Sequence, residues 1–215
     1  MRGVLWDLDG TLVDSEEYHW LSWLHALRPE GIALTREQFL ASFGQRNDRI
    51  LAVWLGPDAD PEHIRRIGDD KEREYRRLAE THGLTPLPGA REWLESLRAG
   101  GWKQAIASSA PRLNVTTMLH VLKFDGLLDA IVAAEDVTHG KPDPEVFLTA
   151  ASKLGVPPAQ SVVVEDAAAG IESARRAGMR SIGVNAKKTL GADVNVASLV
   201  DLAPDAFEAL LSSRV

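Results

Sequence analysis

The sequence predicts an α/β fold: a parallel sheet with helices on both faces and a helical bundle inserted after the first strand. Three observations lead there. Short apolar runs bounded by turn residues alternate with stretches of helical periodicity. The first run is followed by a long segment, Ser15 to Gly83, with no convincing strand. Polar residues stand where several of the runs stop, as they do at the ligand-binding edge of open parallel sheets.

Val4 to Trp6 is the first apolar run and reads as a buried strand. In the segment that follows, Trp20, Trp23, Leu24 and Leu27 make one apolar stripe, Phe39, Leu40 and Phe43 a second, and Ile50, Leu51, Trp54 and Leu55 a third. These stripes predict a bundle with its tryptophans in the core, and Thr85 to Pro88 reads as the return hinge. The expected division is a sheet-bearing core of residues 1–14 and 86–215 and a helical cap of residues 15–85. Beyond the hinge, strands at Gln104–Ala107, Ala130–Ala133, Ser161–Val164 and Ser181–Val184 alternate with helices at Ala90–Arg98, Arg112–Leu122, Pro144–Leu154 and Ala167–Ala177. Gly100, Gly155 and Gly178 supply helix stops. Strands separated by helices pair in parallel, because an antiparallel neighbour needs only a short turn.

Composition narrows the function. A net charge of −7 argues against a nucleic-acid surface, which needs clustered Lys and Arg. The densest basic stretch, Arg65, Arg66, Lys71, Arg73, Arg76 and Arg77, is interleaved with Asp69, Asp70, Glu72, Glu74 and Glu80, as on a solvated helix face, with Lys71 set aside as a candidate site residue. The absence of cysteine excludes disulfides, thiolate nucleophiles and zinc-thiolate sites. The apolar run at Gly3 to Trp6 is too short for a signal peptide or membrane span, so the expected location is the cytoplasm. Trp54, Trp93 and Trp102 are expected to be buried rather than to form a contact, and the chain is expected to be a monomer.

The strand ends carry the chemistry. Asp7 and Asp9 follow the first strand two residues apart, so on an extended backbone they project from the same side. Ser108 and Ser109 follow the second strand and Glu165 and Asp166 the fourth, while Lys141 lies after the third between Gly140 and Pro142. Several carboxylates at one edge repel one another unless a cation intervenes, and oxygen ligands without Cys or a His pair point to Mg²⁺. With Mg²⁺ and Lys141 offsetting charge, Asp7 can attack a phosphomonoester, and Ser108 suits the transferring phosphoryl oxygens. Asp9 is placed to act as acid and then base, and the neighbouring carboxylates are expected to raise its pKa.

The string Val4-Leu5-Trp6-Asp7-Leu8-Asp9-Gly10-Thr11-Leu12-Val13-Asp14-Ser15 resembles motif I of haloacid dehalogenase-like phosphatases. Ile106-Ala107-Ser108-Ser109 is similar to their motif II, Gly140-Lys141-Pro142-Asp143-Pro144 to motif III, and Val164-Glu165-Asp166 with Ala169-Gly170-Ile171 and Ala174 to Met179 to motif IV. The resemblance implies a Rossmann-like core with Asp7 as nucleophile and metal ligand and Asp9 as acid/base with its carbonyl on the metal. It further implies that Asp166 completes a Mg²⁺ site, that Glu165 is a ligand or supports one, and that Ser108 and Lys141 bind the phosphoryl group. The insert resembles the small helical cap of the subfamily that holds β-phosphoglucomutase and sugar-phosphate phosphatases.

Glu17-Tyr18-His19, Gly44 and Lys71 four residues before Tyr75 lean towards the β-phosphoglucomutase-like branch. That branch implies substrate-side roles for His19, Gly44, Lys71 and Ser109. Asn47 stands where a distal-phosphate arginine is expected, and Arg46 or Arg49 would have to substitute. The expected function is therefore a Mg²⁺-dependent phosphatase acting on a small phosphorylated metabolite, a sugar phosphate, with no nucleic-acid or membrane partner. A β-phosphoglucomutase is the alternative, and a catalytically silent binding protein on the same fold a third. A dehalogenase would lack an acid at the position of Asp9.

Overall fold

The computed structural model describes residues 1–43, 45–56 and 58–212. Strand β1 (Gly3–Trp6) lies at its centre with all four residues buried. A tight turn follows, in which the N–H groups of Leu12 and Val13 reach the Leu8 carbonyl at 2.9 and 3.2 Å. Gly10 is required there, because its φ is 83° and a Cβ would lie 2.3 Å from Asp166 Oδ2. Val13–Asp14 (β2) then pairs antiparallel with Thr85–Pro86 (β3), setting the two ends of the insert side by side.

Between β2 and β3 run helices α1 (Glu16–Leu27), α2 (Arg36–Ser42), α3 (Asn47–Leu55) and α4 (Pro61–His82). Thr35 and Gln38 form a capping box at the start of α2, and Asp60 caps α4 ahead of Pro61. Trp23, Leu27, Phe39, Ile50, Leu51 and Ile67 fill the insert's own core, with Trp54 edge-on to Trp23 at 5.0 Å. Leu24 and Leu40, expected in the stripes, are instead 36% and 46% exposed. Each lies at the margin of a helix packed along one side only, where a single stripe can be covered.

Along α4 the expected solvated face holds for Arg65, Arg73 and Arg77, which pair with acids three or four residues away. It is overturned for Glu72, which is only 6% exposed. Glu72 shares the buried side of the helix with Gly68, Tyr75 and Ala79.

Past β3 come α5 (Ala90–Ala99), β4 (Lys103–Ala107), α6 (Arg112–Val121), β5 (Ala130–Val132), α7 (Glu145–Leu154), β6 (Ser161–Glu165), α8 (Ala168–Arg176), β7 (Arg180–Val184), β8 (Val194–Val196) and α9 (Ala206–Ser212). The six-stranded sheet has the order β5-β4-β1-β6-β7-β8, and every pairing in it is parallel. Val4 and Trp6 point into the core shared with α5, α6 and α9, and Leu5 into the one shared with α7 and α8. Trp102 is buried and Trp93 half-buried, and their ring N–H groups donate to Glu208 and to the Leu199 carbonyl. The sequence reading omitted β2, β3, β8 and α9, which are too short or too close to the chain end to show a period. No helix among the described residues is long and apolar enough to cross a membrane.

Candidate active site

The strand order reverses at β1, which has β4 on one side and β6 on the other. The carboxyl ends of these three neighbours therefore open into one crevice, the usual ligand site of an open parallel sheet. A cavity of about 750 Å³ lies there, between the sheet body and the insert. It is lined by Asp7, Asp9, Ser108, Ser109, Lys141, Glu165 and Asp166 from the body and by His19, Arg46, Asn47, Arg49, Lys71 and Glu72 from the insert. Gly44 lies outside the described residues.

Asp7 extends β1, its N–H donating to the Val164 carbonyl at 2.9 Å. Its carboxylate accepts from Lys141 Nζ at 2.6 Å, and the same ammonium donates to Glu165 Oε2 at 2.7 Å. Oxygen atoms of Asp7, Glu165 and Asp166 lie within 4.8 Å of one another. Burial, then repulsion from Glu165, pushes the Asp7 carboxyl up to about 8 against the pull of Lys141. Burial and the charges of Glu165 and Asp7 raise Asp166 to about 9. Burial works against the Lys141 charge, but Asp7 and Glu165 outweigh it and raise its pKa, so it stays an ammonium. Glu165 is pressed into place by α8, since a Cβ on Gly170 would lie 2.0 Å from its Oε2.

The Asp9 carboxylate lies beside this cluster and makes its bonds outside it. It accepts from Ser15 Oγ at 2.5 Å and meets His19 Nε2 at 3.1 Å. Ser15 occupies the N-cap position of α1 yet does not cap it, because its hydroxyl is committed to Asp9. The expected rise in the Asp9 pKa is thus corrected. Burial favours a rise, but the bonds from His19 and Ser15 and the charge of Lys71 hold the group below the ordinary carboxylate range.

His19 stacks on Tyr75 with ring centroids 4.2 Å apart, and its Nδ1 lies 2.8 Å from Lys71 Nζ. Lys71 is 2% exposed and also donates to Glu72 Oε1 at 2.9 Å. An ammonium has no lone pair, so His19 Nδ1 is the acceptor, and Nε2 carries the hydrogen that it donates to Asp9.

Ser108 is buried, its hydroxyl accepting from the Ala110 N–H at 3.0 Å, and Ser109 is half-buried beside it. Arg46 bonds Asp48 at 3.3 Å and its stem packs on Gly140, whose Cβ would lie 3.4 Å from Arg46 Cδ. Arg49 is exposed at the cavity margin. Asn47 is turned inward and donates to Glu72 Oε1 at 2.6 Å. Sequence reading gave no site role to Ser15, Glu72 or Asn114. Glu72 was legible in principle, as a charged residue in helical step with Gly68 and Ala79, and Asn114 as an amide in step with Met118.

The sequence profile described as haloacid dehalogenase-like hydrolase matches residues 4–184. Beta-phosphoglucomutase of Bacillus subtilis is 34% identical over 211 residues, covering 94% of this chain and 92% of that protein. Hexitol phosphatase A of Escherichia coli is 36% identical over 191 residues, covering 86% and 83%. The crystal structure of beta-phosphoglucomutase from Clostridium difficile superposes with a TM-score of 0.89 at 25% identity, covering 99% of this chain and 97% of that one.

Proposed function

Because the chain belongs to the haloacid dehalogenase-like hydrolases, we propose that it is a phosphatase that hydrolyses a small sugar phosphate through a phosphoryl-Asp7 intermediate and uses Mg²⁺. The observation that carries this reading is the convergence of Asp7, Lys141, Glu165 and Asp166 at the sheet edge, with Asp9 held beside them by a histidine from the insert. The β2–β3 ribbon, where the insert leaves and returns, supports the reading of a sheet-bearing core of residues 1–14 and 86–215 with a cap of residues 15–85.

The metal site fits its proposed occupant. Asp7, Glu165 and Asp166 offer hard oxygen donors within 4.8 Å of one another, and their mutual repulsion is what a divalent cation relieves. Bound there, Mg²⁺ would offset negative charge on the phosphoryl oxygens.

In the proposed reaction an Asp7 carboxylate oxygen attacks phosphorus, the bond from phosphorus to the ester oxygen breaks, and that oxygen takes a proton from Asp9. Water then attacks phosphoryl-Asp7 and gives its proton to Asp9, releasing phosphate and restoring Asp7. Asp9 must gain a proton before the first step, and the negative charge of an arriving phosphate works in that direction against His19 and Ser15. Lys141 and Ser108 hold the phosphoryl oxygens.

A phosphomutase would pass the phosphoryl group to a second sugar hydroxyl instead of water, and the B. subtilis relative bears that name. The commitment of Asn47 to Glu72 favours water as the acceptor, since it leaves a distal phosphate to Arg46, which is paired with Asp48, or to the exposed Arg49 at the cavity margin. A panel of sugar phosphates assayed with Mg²⁺ for free phosphate tests the reading, alongside β-glucose 1-phosphate plus glucose 1,6-bisphosphate assayed for isomerisation. Phosphate without isomer is expected. Isomer as the main product transfers the assignment to the mutase. Absence of both products, with no beryllium fluoride binding, leaves a silent binding protein.

A further inference from the structure

Glu72 lies inside the joint between the insert and the sheet body. Its Oε1 accepts from Lys71 Nζ at 2.9 Å and from Asn47 Nδ2 at 2.6 Å. Its Oε2 accepts from the amide of Asn114, a wholly buried residue of α6. The orientation of that amide is set from its other side, where Arg76 donates to Asn114 Oδ1 at 2.6 Å. A guanidinium has no acceptor, so the amide oxygen must face Arg76 and the NH₂ must face Glu72.

Burial favours a neutral Glu72, but the charge and hydrogen bond of Lys71, with the bond from Asn47, hold it below the usual carboxylate range. A buried carboxylate is costly unless donors fill its lone pairs. Here Asn47 of α3 and Lys71 of α4 belong to the insert itself, and the third donor, Asn114 of α6, reaches Glu72 only while the insert sits on the body in this position. From Glu72 the contacts continue through Lys71 and His19 to Asp9, at 2.9, 2.8 and 3.1 Å.

We propose that Glu72 is a positioning residue that clamps the helical insert onto the sheet body in the arrangement in which His19 reaches Asp9. The proposal rests on the reading of Asp9 as the acid/base. The bonds of Glu72 run to Asn47, Lys71 and Asn114 rather than to Asp7, Lys141, Glu165 or Asp166; Glu72 acts through Lys71 and His19, and it commits Asn47 to the joint. Both sides of the joint are needed, because Asn114 alone among these donors belongs to the body.

The test is a double-mutant cycle in the full chain with Mg²⁺, using Glu72→Gln, which keeps the shape and loses the charge, Asn114→Ala, and their combination. The substrate is the best sugar phosphate of the panel above, and backbone hydrogen exchange is measured on the same proteins. Each single variant is expected to lower kcat about tenfold, the scale of one charge-assisted hydrogen bond, with KM changed less than about threefold. The double variant should fall no further than the worse single one. Amides of α4 and α6 should exchange faster while those of β1 and β6 keep their protection.

Multiplicative losses, an unchanged kcat, or faster exchange spread evenly over the sheet would overturn the clamp and reduce Glu72 to a general stability residue. If no sugar phosphate is turned over, the phosphatase reading fails separately, and the exchange measurements alone decide the clamp. Should Glu72→Gln not fold, Arg76→Met paired with Asn114→Ala makes the same comparison, because Arg76 orients the Asn114 amide.

Discussion

At the scale of single residues the site is a balance of charge. Lys141 lies between Asp7 and Glu165, with its side chain 8% exposed. Lys141→Met strands two buried acids, and urea unfolding of the metal-free protein at neutral pH should show a loss of about 3 kcal/mol. Asp166 makes the opposite prediction. Its carboxyl is raised from 3.8 to about 9 in the fold, so between these values the unfolded chain has released a proton that the folded protein still holds. The native state then binds more protons than the unfolded one, and this group's contribution to stability falls as pH rises through that window. Metal-free Asp166→Asn should therefore gain stability relative to the parent between about pH 4 and pH 9. A difference that stays flat across this range would mean Asp166 is not protonated in the fold. Asp7→Asn keeps the hydrogen-bonding shape and removes the proposed nucleophile, so phosphate release should drop by roughly a thousandfold or more with an unchanged circular dichroism spectrum. Substantial residual turnover would exclude a phosphoryl-Asp7 intermediate.

At the scale of elements, the first turn of α8 and the end of β6 approach closely enough to fix Glu165. A methyl group on Gly170 would lie 2.0 Å from Glu165 Oε2 and 2.1 Å from Cδ, so the carboxylate must leave its place beside Lys141. Gly170→Ala should cost about 1–3 kcal/mol in urea unfolding, the range of an overpacked site, and should weaken Mg²⁺ binding measured by calorimetry. Native Mg²⁺ affinity in this variant would place Glu165 outside the metal's surroundings. Helix α4 shows how one element serves two purposes. Its outer side carries Arg–acid pairs at helical spacing, and its inner side carries Lys71 and Glu72 into the joint with α6.

At the scale of the whole molecule, insert and body share one cavity, so ligands that bind there should stabilise both together. Mg²⁺ at a hundred times its dissociation constant should add about 2.7 kcal/mol to the unfolding free energy, and EDTA should reverse the gain. An unfolding midpoint insensitive to Mg²⁺ would argue against the carboxylate cluster as its site. By itself the sequence determined the alternation of strands and helices, the helical insert after β1, and the polar residues at the ends of β1, β4 and β6. These were legible because apolar period and turn residues are local signals, and because a strand's end fixes where its next side chain stands. Tertiary structure alone decided that Asp9 turns to Ser15 and His19, that Glu72 is buried rather than solvated, and that Asn47 is bound to it. It also added β8 and the β2–β3 ribbon, which have no period of their own. The physical reason is that the partner is chosen by how the chain folds back and leaves no periodic signal: Asp9 meets Ser15 and His19 across the turn into the insert, and Glu72 meets Asn47 and, across the joint between body and insert, Asn114.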